Sequence, residues 1–256
     1  MNGPAAAGTD GIEAVCEGPR PVVEDIAVLF RDESLAVVHK PTGMLVHRGM
    51  GADRDEVFLL QAVRERLGTF VHPVHRLDRP TSGLVVFALD SPTAREMQRL
   101  WQAGAVRKRY RAVVRGWMPA PDGIHDEALD DPDSGILQEA RTAWKEVDRC
   151  EVPWPSAGHP SRRLALLELE PLTGRYHQLR RHLSRLAHPV AGDTTHGCRH
   201  LNHELETRLG WWRLLLFAEE LSFPHPHSGA PMAFRDDPAR GALPWWDALR
   251  SAVGHG

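Results

Sequence analysis

Apolar and polar positions alternate in short blocks along most of this chain. Ile26-Ala27-Val28-Leu29-Phe30 and Leu35-Ala36-Val37-Val38 flank the polar Arg31-Asp32-Glu33-Ser34, the pattern of a hairpin. Val57, Leu59, Leu60, Val63 and Leu67 recur at a helical period with Gly68 as a stop, which predicts an amphipathic helix over 55–68. The apolar run 84–89 reads as a buried strand, and Ser91 as N-cap with Pro92 at the first position predicts a second helix as far as Gly104. Residues 108–116 alternate, with Arg109, Arg111, Val113 and Arg115 on one face of a strand and Tyr110, Ala112 and Val114 on the other. Further strands are predicted over 164–170, 214–218, 221–223 and 232–234, and a helix from about Tyr176 to Leu186 after a turn at Thr173-Gly174. Residues 118–163 hold six prolines and many acids between weakly periodic pieces, so insertions and mobility are expected there. Strands dominate and helices intervene irregularly, which predicts an α+β fold on a mixed, largely antiparallel sheet.

Composition narrows the class. At 256 residues and 42% apolar content, the chain can bury a substantial core. Residues 1–23 are rich in Gly, Ala and Pro without a period and are expected to be a disordered tail, leaving 24–250 as one domain. The start has neither a basic segment nor an apolar core, so no signal peptide is expected, and the six-residue run 84–89 is far too short to cross a bilayer. Cys16, Cys150 and Cys198 are odd in number and widely spaced, which fits a reducing compartment; a soluble, cytoplasmic protein is expected. The net charge of −3 carries no global sign of nucleic-acid affinity. The cations are concentrated, however, between Arg95 and Arg115 and between Arg175 and Arg185.

The stretch His75-Arg76-Leu77-Asp78-Arg79-Pro80-Thr81-Ser82-Gly83-Leu84 holds the chemistry most worth explaining. It sets one acid in a cationic, turn-forming loop ahead of the strand. Arg76 and Arg79 bracket Asp78, which predicts a carboxylate that stays ionised. Such a group can be a nucleophile, a general base or a metal ligand; the structural alternative is a turn-capping Asp paired with arginine. His196, Cys198, His200 and His203 depart from regular zinc spacings and have no second cysteine nearby, so surface histidines are expected rather than a zinc site.

His75-Arg76-Leu77-Asp78 followed by Thr81-Ser82-Gly83-Leu84 resembles the catalytic motif of the RluA-type pseudouridine synthases. Three more segments resemble family blocks in the expected order: residues 38–47, 108–116 and 172–180. The resemblance, which spans about 25 to 235, implies the pseudouridine synthase fold, a bent sheet with flanking helices around a central catalytic cleft. It implies Asp78 as nucleophile, Tyr110 as the ring that stacks on uracil and helps with the C5 proton, and Arg180 as the partner of Asp78. It also implies RNA contacts from Arg76, Lys40, His47, Arg79, Lys108, Arg109, Arg175 and His177, with no cofactor and no metal. Arg76 would fill the space of the extruded base or bind its phosphate. Several members carry a small RNA-binding domain ahead of the catalytic one; some twenty residues are too few to supply it. The segments 45–48, 79–83, 108–117, 174–183 and 192–197 look like the TruC-type branch, which implies a tRNA substrate in the acceptor-side arm, at tRNA position 65; a monomer is expected. A ribosomal RNA substrate is the alternative within the family. A non-catalytic RNA-binding protein would have lost Asp78, Tyr110 or Arg180, and a metal-dependent hydrolase would purify with metal.

Overall fold

The computed structural model describes residues 21–48, 57–155, 158–211, 213–241 and 243–253. After a 3-10 turn at Val23–Asp25, β1 (Val28–Arg31) and β2 (Leu35–Lys40) form the expected hairpin. There follow α1 (Leu59–Leu67), β3 (His72–Pro73), β4 (Ser82–Ala88), α2 (Ser91–Gln102) and β5 (Arg107–Arg115). Next come β6 (Asp122–Asp126), β7 (Leu129–Asp130), β8 (Leu137–Gln138), β9 (Arg141–Val152) and β10 (Arg162–Pro171). The chain continues with α3 (Gln178–Arg185), α4 (Arg199–Leu209), β11 (Leu216–Pro224), β12 (Pro231–Arg235) and α5 (Leu243–Val253). The main sheet runs β1-β2-β4-β11-β5-β10-β9-β6, with β12 on β11 and β3 on β4, while β7 and β8 pair apart from it. It is an α+β fold on a mixed, mostly antiparallel sheet.

Among the described ladders, β4 and β11 alone pair in parallel, through Ser82 with Phe217 and Gly83 with Ala218. This pair joins the two halves of the sheet. Gly83 has φ 122°, and a Cβ there would strike the Ala218 backbone, so only glycine allows the strands to meet. Each half is covered on both faces. On one face α1 packs over Val38, Val85 and Phe87, and α3 packs over Ala112, Val114 and Leu216. On the other, α2 covers Val37, Val86 and Leu221, while α4 and α5 cover Val113, Leu164 and Leu166. Tyr110 packs against both cores of the first face, so it marks the seam between them.

Several elements differ from the sequence reading. The first helix begins at Leu59, with Phe58 in extended backbone as its N-cap; residues 55 and 56 lie outside the described residues. The expected tail lies outside them as far as residue 20, and Val23 already belongs to the 3-10 turn. Cys16 also lies outside them. Asp90, not Ser91, caps α2, because its carboxylate reaches both the Thr93 N–H (2.7 Å) and the Thr93 hydroxyl (3.0 Å). The segment 118–163 is largely regular: β9 runs twelve residues because it pairs along the whole of β10. The two late strands are one, β11, with the register shifting between Ala218 and Glu220.

Candidate active site

Asp78 stands in the loop between β3 and β4. Leu77 anchors the loop in the core under α1, and the Thr81 N–H closes a turn on the Asp78 carbonyl at 3.1 Å. The segment after β2 laces it from behind. Lys40 Nζ donates to the Pro41 and Arg79 carbonyls at 3.0 Å each, and the Thr42 hydroxyl donates to the Pro80 carbonyl at 2.7 Å. Gly43 N–H donates to the Arg79 carbonyl (2.9 Å), and Arg79 Nε returns a bond to the Gly43 carbonyl (3.2 Å). Lys40 is fully buried. Lys40 and Arg79, expected at the RNA, are therefore turned to holding the loop, since a buried ammonium must satisfy its donors locally.

A cation reaches Asp78 from α3. Arg180 is 1% exposed and clamps Asp193 bidentately, Nε to Oδ2 at 2.8 Å and Nη2 to Oδ1 at 2.9 Å. Its remaining nitrogen, Nη1, lies 3.4 Å from Asp78 Oδ2 and 3.2 Å from His177 Nε2. Asp193 in turn accepts the Thr195 and His196 N–H groups, both at 2.9 Å. Burial works on both acids, with opposite outcomes. For Asp193, Arg180 and the backbone donors outweigh burial and hold the carboxyl below its usual range. For Asp78, burial outweighs Arg180, Arg76 and Lys40 and lifts the carboxyl above it. Of the two arginines expected to hold Asp78 ionised, Arg76 acts on it behind Arg180, the main cation, while Arg79 Nε bonds the Gly43 carbonyl.

In front of Asp78, still 22% exposed, opens a cleft of about 960 Å³. Arg76, Lys108, Tyr110, Arg175 and His177 line it. Tyr110 comes from β5, where the alternation puts it on the cleft face; burial, then the Asp78 charge, push its phenol above its usual range. Lys108 shares that face, and lost hydration lowers its amine. His75 walls the cleft, stacked on Trp101 at 4.7 Å and accepting the Val86 N–H at 3.0 Å; burial, then Lys108, push it down to about 3. The Thr81 hydroxyl, also on the wall, is buried without a hydrogen-bond partner among the described residues.

The remaining predicted residues separate. His47 is exposed outside the cleft lining, near enough to Arg76 that burial and that charge lower it. Arg109 points to the opposite sheet face, as strand alternation requires, and pairs with Glu220 (3.0 Å) and Glu168 (3.6 Å). Gln178, the first residue of α3, is buried and ties Thr173, Arg175 and Arg141 together. Among the histidines, His196 bonds His177 at 3.0 Å, while His200 and His203 belong to α4. No group of three or more His, Cys, Asp or Glu suited to a metal occurs among the described residues. Asp193 and His196 were missed as parts of the site; the signal available was an acid in the turn-rich segment 192–197.

Comparison with known proteins agrees with this geometry. The profile of the family described as RNA pseudouridylate synthase matches residues 34–185. The tRNA pseudouridine synthase C of Vibrio cholerae is 38% identical over 241 residues, covering 90% of this chain and 96% of its own. The protein of the same name from Pectobacterium carotovorum is 39% identical over 231 residues; the match covers 86% of this chain and 60% of that longer one. Among solved structures, human RNA Pseudouridylate Synthase Domain Containing 4 superposes with a TM-score of 0.68 at 26% identity, over 88% of this chain and 93% of that one. The chain belongs to the RNA pseudouridylate synthase family.

Proposed function

We infer that this chain converts a uridine of tRNA to pseudouridine, with Asp78 as the nucleophile. The reaction breaks the bond from ribose to N1 of uracil, turns the base and joins it through C5, and it consumes no redox or phosphate energy. It needs a carboxylate at the reacting nucleotide, cations to hold that nucleotide, and a site that excludes water. The observation that carries the reading is the Asp78 carboxyl, 3.4 Å from Arg180 at the wall of a cleft of nucleotide size. Arg180, fixed by Asp193, orients the carboxyl and favours its ionised form against burial. Tyr110 offers a ring for the uracil to stack on. Arg76, exposed at the cleft, fills the gap left by the extruded base or takes its phosphate, while Lys108, Arg175 and His177 meet the nucleotide from the facing walls.

The choice of tRNA rests on the relatives' shared name, and the uridine expected is that of the acceptor-side arm. No helix among the described residues is long and apolar enough to cross a membrane. The enzyme acts as a cytoplasmic monomer without a cofactor. The test is to incubate the protein with unmodified tRNA and ribosomal RNA and to map new pseudouridine by chemical modification and primer extension. A single site in tRNA is expected. Modification of ribosomal RNA alone would overturn the substrate but keep the chemistry, and modification of neither would overturn both.

A further inference from the structure

Extruding one uridine leaves a second group to accommodate. The base beside it in the RNA loses a stacking neighbour, and a protein ring in the right place can stand in for that neighbour. Among the described residues two large aromatic side chains are exposed, Phe70 and Tyr176. The Arg64 guanidinium covers Phe70, 3.6 Å from its ring centroid. Tyr176, 47% exposed, lies in the turn that leads into α3 and lines the same cleft as Asp78 and Tyr110.

The Tyr176 ring is braced. It stacks on the His177 ring, with centroids 3.7 Å apart and planes 17° from parallel. His177 is itself buried and fixed: Nδ1 bonds His196 Nε2 at 3.0 Å, and Nε2 accepts from Arg180 Nη1 at 3.2 Å. The backbone at His177 has φ 50°, a left-handed conformation unfavourable for a residue with a side chain. Although His177 is the N-cap of α3, its side chain makes no capping bond, so the turn serves the ring stack and not the helix end. A platform fixed before RNA arrives loses little freedom when a base settles on it. Its position also sets it apart from the reacting base. His177 Nε2 lies 3.8 Å from Asp78 Oδ2, and Tyr176 stands one ring further towards solvent. Arg107, Lys108 and Arg175 share the lining with it, and Glu170 is the one acid there besides Asp78, a balance that suits a phosphate backbone better than a protein segment.

We propose that Tyr176 forms a second nucleobase subsite, which stacks the base adjoining the target uridine while Tyr110 takes the uracil itself. The contact tolerates any sequence, because every base has a π-face. It selects a base whose neighbour has left the stack, and its effect falls on RNA capture and not on the chemical step. This subsite deepens the pseudouridine reading and rests on it.

The test is a double-mutant cycle between the ring and the base. Unmodified tRNA with its target uridine mapped is compared with the same tRNA carrying an abasic ribose immediately before, or immediately after, that uridine. On intact tRNA, Tyr176→Ala should raise KM ~10-fold with kcat nearly unchanged. Tyr176→Phe, which keeps the ring, should stay within about twofold of the unaltered enzyme. On one of the two abasic RNAs the unaltered enzyme should lose as much kcat/KM as Tyr176→Ala loses on intact tRNA, and Tyr176→Ala should lose almost nothing more, because ring and base form one contact. Additive losses at both positions would overturn the proposal, as would full activity of Tyr176→Ala or an equal loss in Tyr176→Phe. A fall in kcat with KM unchanged would also overturn it, since that marks a disturbed His177 and not a lost base contact. No turnover of any RNA by the unaltered protein would overturn the pseudouridine reading and the subsite with it.

Discussion

Strand β5 separates two charge clusters of opposite design. On one face Arg109, Arg111 and Arg235 alternate with Glu168, Glu219 and Glu220 in a closed ring. Arg111 bridges Glu168 (3.1 Å) and Glu219 (2.7 Å), Arg235 bridges Glu219 (2.8 Å) and Glu220 (3.5 Å), and Arg109 returns from Glu220 to Glu168. Three cations meet three anions, and every carboxylate is matched. On the face that carries Tyr110, Arg180 is bidentate to Asp193 and reaches Asp78 with one nitrogen, and at the open cleft burial outweighs the cations that act on Asp78. Both clusters bury charge. Only the second leaves a carboxylate lifted above its usual range beside a cavity, the condition in which a side chain can do chemistry.

The comparison can be broken by removing the cation from each. Arg180→Met leaves Asp193 buried without its bidentate partner and should cost about 3–5 kcal/mol in urea unfolding, with loss of activity at any RNA concentration. Tyr110→Phe keeps the packing of both cores and should lower kcat ~10²-fold with little change in Tm, which separates chemistry from fold. Arg111→Met leaves Glu219 paired with Arg235 and should cost less, ~2 kcal/mol, with kcat unchanged at saturating RNA.

The smallest effect is the sharpest in sign. Asp78 is raised in the folded protein, so its contribution to stability is full below the unfolded carboxylate value and is lost as pH rises through the folded one. Asp193 is depressed and does the reverse: its contribution is full above the unfolded value and is lost as pH falls through the folded one. Asp78→Asn should therefore be more stable than the parent at pH 8, by about 1 kcal/mol or ~2–4 °C in Tm, and the gap should close towards pH 4. In the parent, kcat/KM should fall on the acid side at a pH above the ordinary carboxylate range.

Much of the site was legible because motif residues sit on short, regular pieces. Strand alternation placed Tyr110 and Arg109 on opposite faces, and the structure keeps that division, although Arg109 was assigned to RNA when its own face should have argued against it. Asp78 and Arg180, far apart in the chain, were matched through the family resemblance rather than through any spacing. Asp193 was not legible as a partner, because a bidentate pair across a loop leaves no periodic trace. Lys40 looked like an RNA contact because burial cannot be read from a cationic side chain alone. Helix α4 was passed over in favour of its histidines, though Leu201, Leu205 and Leu209 lie at helical spacing before Gly210. The bulge that splits β11 hides Glu219, and it made one strand look like two.

The measurement that tests the central claim most directly is tritium release from tRNA labelled at uridine C5, with the parent protein set against Asp78→Asn. Release by the parent and none by a folded, more stable Asp78→Asn is the predicted result. Equal release by both would contradict it, because the Asp78 carboxylate would then not be where the chemistry begins.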